Sequence, residues 1–191
     1  MWTSINKKLY LFISIILLIG VVVGIVFVTL LDESSKEILF LNINEFLQSI
    51  DKSNIGLILM HLVILSTLLV TSTILLGGPL IIFFLLYNGF TIGFIISSIT
   101  CIFGIKGLLF GLIYVIISKL IFLVFLIIFS VNLFKIVKCT IDYIVYKKNS
   151  KEIFSTYIKR CIIFISIILI NDVILYFWGL KLVNVFNFLI K

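Results

Sequence analysis

Apolar residues fall in long stretches separated by short polar ones. A helix needs about 20 apolar residues to cross roughly 30 Å of hydrocarbon at 1.5 Å rise per residue. On that measure the pattern predicts five transmembrane helices, at 9–31, 55–76, 80–103, 108–134 and 161–180. Unbroken, the apolar run 55–103 would make a helix of about 73 Å, more than twice the bilayer core. It must therefore turn back, and Gly77-Gly78-Pro79, which holds the chain's single proline, marks the break. Gly104-Ile105-Lys106-Gly107 supplies a tight link into the fourth span. Between spans one and two, Ile38, Leu39, Leu41, Ile43, Phe46, Leu47 and Ile50 recur at helical spacing with Asp, Glu, Asn and Gln between them. That pattern predicts an amphipathic helix in 32–54, lying on the membrane surface or over the bundle, with Ser34 or Ser35 capping its start. The expected fold is all-α: a polytopic transmembrane helical bundle of about five spans with an outer amphipathic helix, forming one membrane domain over 1–191.

Composition points the same way. Of 191 residues, 63% are hydrophobic and 12% charged, and the mean hydropathy is +1.39. A soluble domain of this size needs a more polar exterior, so lipid is the expected solvent. Alanine is absent while Ile, Leu, Phe, Asn and Lys abound, a bias that suits an AT-rich bacterial genome. The first apolar stretch is too long for a signal-peptide core and lacks a small-residue cleavage site, so it reads as a retained span.

Charge orients this layout. Segment 32–54 carries five carboxylates against two lysines, net −3, and segment 135–160 carries seven basic residues against two carboxylates, net +5. With Lys7 and Lys8 and the N-terminus in the cytoplasm, nine basic residues fall inside and five outside. This satisfies the positive-inside rule, and the reverse orientation violates it. The overall charge of +7 is thus assigned to cytoplasmic flanks rather than to nucleic-acid binding.

Few polar side chains interrupt the spans. Lys119 and Asp172 are ionisable and near mid-membrane, at depths that differ by only about 4–5 Å. Ions are costly there, so the two are expected to face the bundle interior and interact as a pair that fixes helix register. The alternative is a proton or ion relay. His61, the single histidine, reads as interfacial, and Asn88 and Asn171 as helix-to-helix hydrogen bonders. Gly20 and Gly24, Gly89 and Gly93, and Gly107 and Gly111 are each spaced GxxxG, which favours close helix packing. Cys101, Cys139 and Cys161 form no CxxC or Cys/His pairing, and Cys139 and Cys161 read as cytoplasmic thiols. No phosphate loop, HExxH or GxSxG motif occurs, so neither a cofactor, a metal nor an enzymatic activity is expected.

Several stretches carry a family resemblance. ILLIGVVVGIVFVTLL at 16–31 is a first span with closely set glycines, followed by the amphipathic EILFLNINEFLQSI. GGPLIIFFLLYNGFTIGF at 77–94 combines a helix break with a glycine- and phenylalanine-rich span, and GIKGLLFGLIYVI at 104–116 carries a glycine–lysine–glycine link. With the basic segment before the last span, this order resembles the stage II sporulation protein M family of endospore-forming bacteria. One departure is Ile117-Ser118-Lys119, where the family often has a proline followed by polar residues. The resemblance implies a membrane scaffold at the sporulation septum. It would hold the extracytoplasmic peptidoglycan-cleaving stage II sporulation proteins D and P during forespore engulfment. On that reading the outer segment is the docking candidate, through Glu37, Phe40, Glu45 and Phe46. The alternative function is a small transporter or permease subunit using Lys119 and Asp172.

Overall fold

The computed structural model describes residues 2–39, 41, 55–74, 76–147 and 151–190. The described residues are all-helical, with no strand among them. Helix α1 spans Trp2–Thr29, α2 spans Ile55–Ser72, α3 spans Gly77–Tyr146 and α4 spans Lys151–Ile190. A short helix occupies 33–39. Four stretches are long and apolar enough to cross a membrane: Lys7–Thr29, Gly77–Leu109, Lys119–Tyr146 and Glu152–Phe177. The apolar part of α2, Ile58–Ser72, is shorter.

Helix α3 is two helices joined at Gly104, whose φ of 60° and ψ of −139° lie where only glycine rests without strain. There the chain doubles back. A Cβ on Gly107 would fall 2.2 Å from the carbonyl oxygen of Ile99, and one on Gly111 would fall 3.4 Å from Cα of Ile96. In a continuous helix residues 99 and 107 would be about 12 Å apart. The limbs 77–103 and 105–146 are therefore an antiparallel hairpin, here α3a and α3b.

The described turn residues between α2 and α3a are 73, 74 and 76, earlier than the expected break at Gly77-Gly78-Pro79. Those three residues instead open α3a. Proline suits a first turn because it lacks an N–H that would have no helical partner there. Gly77 abuts the end of α2, since a Cβ there would lie 2.3 Å from Cα of Ser72. At the other end of the hairpin, α3b runs to Tyr146 and α4 begins at Lys151. Most of the basic stretch 135–160 is thus the facing ends of two long helices rather than a free loop.

Helix α1 lies against α3a with backbone touching backbone. A Cβ on Gly20 would meet the Leu86 carbonyl at 2.5 Å, and one on Gly24 the Phe90 carbonyl at 2.3 Å. Reciprocally, Gly89 would meet the Leu17 carbonyl at 2.2 Å and Gly93 the Val21 carbonyl at 2.0 Å. Partner numbers rise together along both helices, so α1 and α3a are parallel. The chain must then return across the bundle between them. Helix α2, at 18 residues or about 27 Å, is the limb that does so.

The core forms around α3b. Phe122, Leu126, Phe129, Leu133 and Ile136 are almost fully buried at alternating four- and three-residue steps, which place them on one stripe. Ile13 and Ile16 of α1, Leu65 and Leu68 of α2, Ile81 and Leu85 of α3a, and Cys161 and Ile168 of α4 pack into the same cluster. The outward faces stay apolar, as with Leu11, Ile15, Leu18 and Val22 on α1, which suits contact with acyl chains.

Segment 32–54 is described only in part. The Asp32 carbonyl accepts the first helical bond, from the Lys36 N–H at 3.0 Å. The Ser34 hydroxyl donates to the Asp32 carboxylate at 2.6 Å. That bond and a second from the Ser35 hydroxyl hold the Asp32 carboxyl below its ordinary range. The start of this helix is therefore capped by Asp32 rather than by Ser34 or Ser35, which serve as donors to it. The amphipathic pattern beyond 41 lies outside the described residues.

Replacing Gly93 with alanine should destabilise the bundle by about 1–3 kcal/mol, the usual cost of overpacking. Gly78→Ala meets nothing within 4 Å and should stay within about 0.5 kcal/mol of wild type. Thermal unfolding in mild detergent compares the two directly.

Candidate functional site

Three helices bring ionisable side chains to one place. On α2, His61, Leu65, Leu68 and Ser72 follow one stripe, and the last three are buried. On α3b, Lys119 continues the core stripe between Val115 and Phe122. On α4, Asp172 follows the buried Ile168 and Asn171. Lys119 is the first residue of the apolar stretch Lys119–Tyr146, and Asp172 lies within Glu152–Phe177, both of membrane-spanning length.

The His61 Nδ1–H donates to the Asp172 carboxylate, Nδ1 to Oδ2, at 2.8 Å. Side-chain exposure is 21% for His61 and 11% for Asp172, so the pair is largely shielded by its own bundle. The imidazole stacks on Phe122, with centroids 5.2 Å apart and planes inclined by 22°. The Lys119 ammonium lies 5.5 Å from the centroid of the same ring. A cation over an aromatic face is attracted by the ring quadrupole, so Phe122 organises both cationic candidates. The Asp172 charge acts electrostatically on Lys119.

This arrangement revises the sequence expectation. Lys119 and Asp172 belong to one cluster, but the direct partner of the carboxylate is His61. The lysine contributes through space and through Phe122. His61 is therefore partnered across helices. Its position four and seven residues before Leu65 and Leu68 was the available signal, because it sets the imidazole on the buried stripe. What the sequence could not show is that α2 and α4 become neighbours.

The other polar candidates separate. The Asn88 side-chain amide donates to the Phe84 carbonyl at 2.8 Å, and Asn132 donates to Ile128 at 2.8 Å. Both satisfy themselves on their own helices rather than bridging. Nδ2 of Asn171 and Oγ of Ser98 are buried without a hydrogen-bond partner among the described residues. Among those residues no three His, Cys, Asp or Glu side chains converge as a metal site. Of the docking candidates, Glu37 is exposed on the helix at 33–39, and Phe40, Glu45 and Phe46 lie outside the described residues.

Comparison with known proteins finds no matching family model, no matching curated protein and no matching solved structure.

Chemically, the cluster can clasp α2 to α4 and can bind or release a proton. Removing one partner of a buried hydrogen bond strands the other, at about 1–3 kcal/mol. His61→Ala should cost that much, while His61→Phe combined with Asp172→Leu should recover most of it. A double-mutant cycle of unfolding free energies should show coupling of about 1 kcal/mol. Strict additivity would mean that the pair does not clasp the helices.

Proposed function

We propose that this chain is a non-enzymatic, multi-pass membrane scaffold that holds extracytoplasmic wall-remodelling proteins at a division septum. The order of its features, and their resemblance to the stage II sporulation protein M family, support this reading. The observation that carries it is the mutual contact of α1 and α3a at Gly20, Gly24, Gly89 and Gly93, which leaves no space for even a methyl group. Helices meshed at the backbone level resist sliding, and such rigidity suits a platform better than a machine whose helices must exchange positions. Segment 32–54 starts from the end of this rigid pair, where it can present a surface to a partner outside the membrane. With the N-terminus cytoplasmic, that end faces the cell wall. Under this proposal the partners are peptidoglycan-cleaving proteins, as stage II sporulation proteins D and P are for that family, and the setting is forespore engulfment.

A second reading has one specific observation in its favour. His61 and Lys119 come from two helices to the Phe122 ring, and Asp172 from a third bonds to His61; ionisable groups at membrane depth often line proton or ion paths. This reading makes the chain a small transporter or permease subunit. It predicts proton or substrate flux in proteoliposomes that Asp172→Asn abolishes.

The scaffold reading predicts that a wall hydrolase co-purifies with the chain after mild detergent extraction. Glu45→Lys should weaken that association by about tenfold, equivalent to about 1.4 kcal/mol, without lowering thermal stability. In a deletion strain the hydrolase should disperse from the septum. Normal septal localisation in that strain would contradict the proposal.

A further inference from the structure

Helices α1 and α3a are parallel and finish at the same end of the bundle. Beside those ends, next to the helix at 33–39, is a cavity of about 270 Å³ lined by Val28, Lys36, Glu37, Leu39, Cys101 and Ile102. Its volume is just below the range of drug-sized ligand sites, so it has room for a small polar head rather than a whole cofactor. Its depth is defined by the chain itself. Val28 is one residue from the end of the apolar stretch Lys7–Thr29, at the level where hydrocarbon gives way to lipid head groups. Val28, Leu39 and Ile102 give the cavity an apolar side, and Lys36 and Glu37 add one cation and one anion.

We propose that this cavity binds the head group of a zwitterionic phospholipid with a primary ammonium, which is the chemistry of phosphatidylethanolamine. The phosphate accepts hydrogen bonds from the Lys36 ammonium, and the lipid ammonium donates to the Glu37 carboxylate. The glycerol and first acyl carbons rest on Val28, Leu39 and Ile102. A purely anionic head group would use Lys36 but leave the Glu37 carboxylate facing it without a donor. A choline head group has no N–H for Glu37, and among the described residues that line the cavity none is aromatic to cage a quaternary ammonium. The bound lipid would anchor the first turn of segment 32–54 to the bundle. This inference stands independently of the scaffold reading.

Cys101 lines the same cavity and its thiol is free and exposed, so it reports occupancy. The full-length protein would be placed in nanodiscs of phosphatidylglycerol mixed with either phosphatidylethanolamine or phosphatidylcholine, and in phosphatidylglycerol alone. Maleimide modification of Cys101 would be followed peptide by peptide, with Cys139 as the reference thiol. Phosphatidylethanolamine should slow Cys101 labelling about fivefold relative to both other membranes, as expected when ligand is in about fourfold excess over its dissociation constant. Combining Lys36→Ala with Glu37→Gln should abolish that protection while Cys139 labelling stays unchanged. Equal Cys101 rates in all three membranes would overturn the proposal, whether they are fast, as for an open cavity, or slow, as when the chain's own 40–54 segment fills it. Protection that survives the double substitution would overturn it too.

Discussion

The bundle depends on one interface, the meeting of α1 and α3a through their backbones. Within lipid, apolar side chains gain little by leaving acyl chains for one another, so helices associate through close van der Waals contact. Four glycines allow that contact here. At each, the neighbouring carbonyl occupies the space a Cβ would need, between 2.0 and 2.5 Å from its ideal position. The interface also fixes direction. Because the two helices run in parallel, the chain between them must recross the bundle, which gives α2 its course. The reversal at Gly104 then brings α3b back into the centre, where its stripe from Phe122 to Ile136 collects the other helices.

The polar cluster follows from this architecture. With α3b at the centre and α2 and α4 packed against it, His61, Phe122 and Asp172 meet without any of them lying far from an apolar stripe. The cluster uses its charges internally. The carboxylate takes the imidazole N–H, and the lysine sits over the ring that supports the imidazole. A clasp of this kind restrains α2, whose apolar stretch is the shortest. Glycine meshing on one side of the bundle and a polar clasp on the other describe a body built to stay in one arrangement, and the scaffold proposal rests on that rigidity.

Much of the fold was legible in the sequence, because the length of an apolar run is a direct physical measure of membrane thickness. Helical class and the reversal in 55–103 follow from it, and the link at Gly104 from its Gly-Ile-Lys-Gly sequence. The position of the first turn did not. Pro79 reads as a breaker, yet as a first-turn residue it starts a helix, and so the turn falls before Gly77. The helical form of most of the basic stretch 135–160 was not legible either, since lysines and arginines can ride on helix ends that project beyond an apolar core. At the candidate site, Lys119 and Asp172 stood out because ions are rare in such surroundings. His61 did not, because its significance depends on α4 approaching α2, a contact between residues 111 positions apart that no local pattern encodes.

The parallel course of α1 and α3a is the feature most open to direct measurement. Phe27 lies with its ring centroid 5.6 Å from that of Phe90 and 6.2 Å from that of Phe94. In a background without the native cysteines, Phe27→Cys combined with Phe90→Cys should form a disulfide rapidly in membranes under mild oxidation. Phe27→Cys combined with Leu80→Cys should not, because Leu80 begins α3a near its opposite end. Cross-linking through Leu80 without cross-linking through Phe90 would make the two helices antiparallel and overturn this architecture.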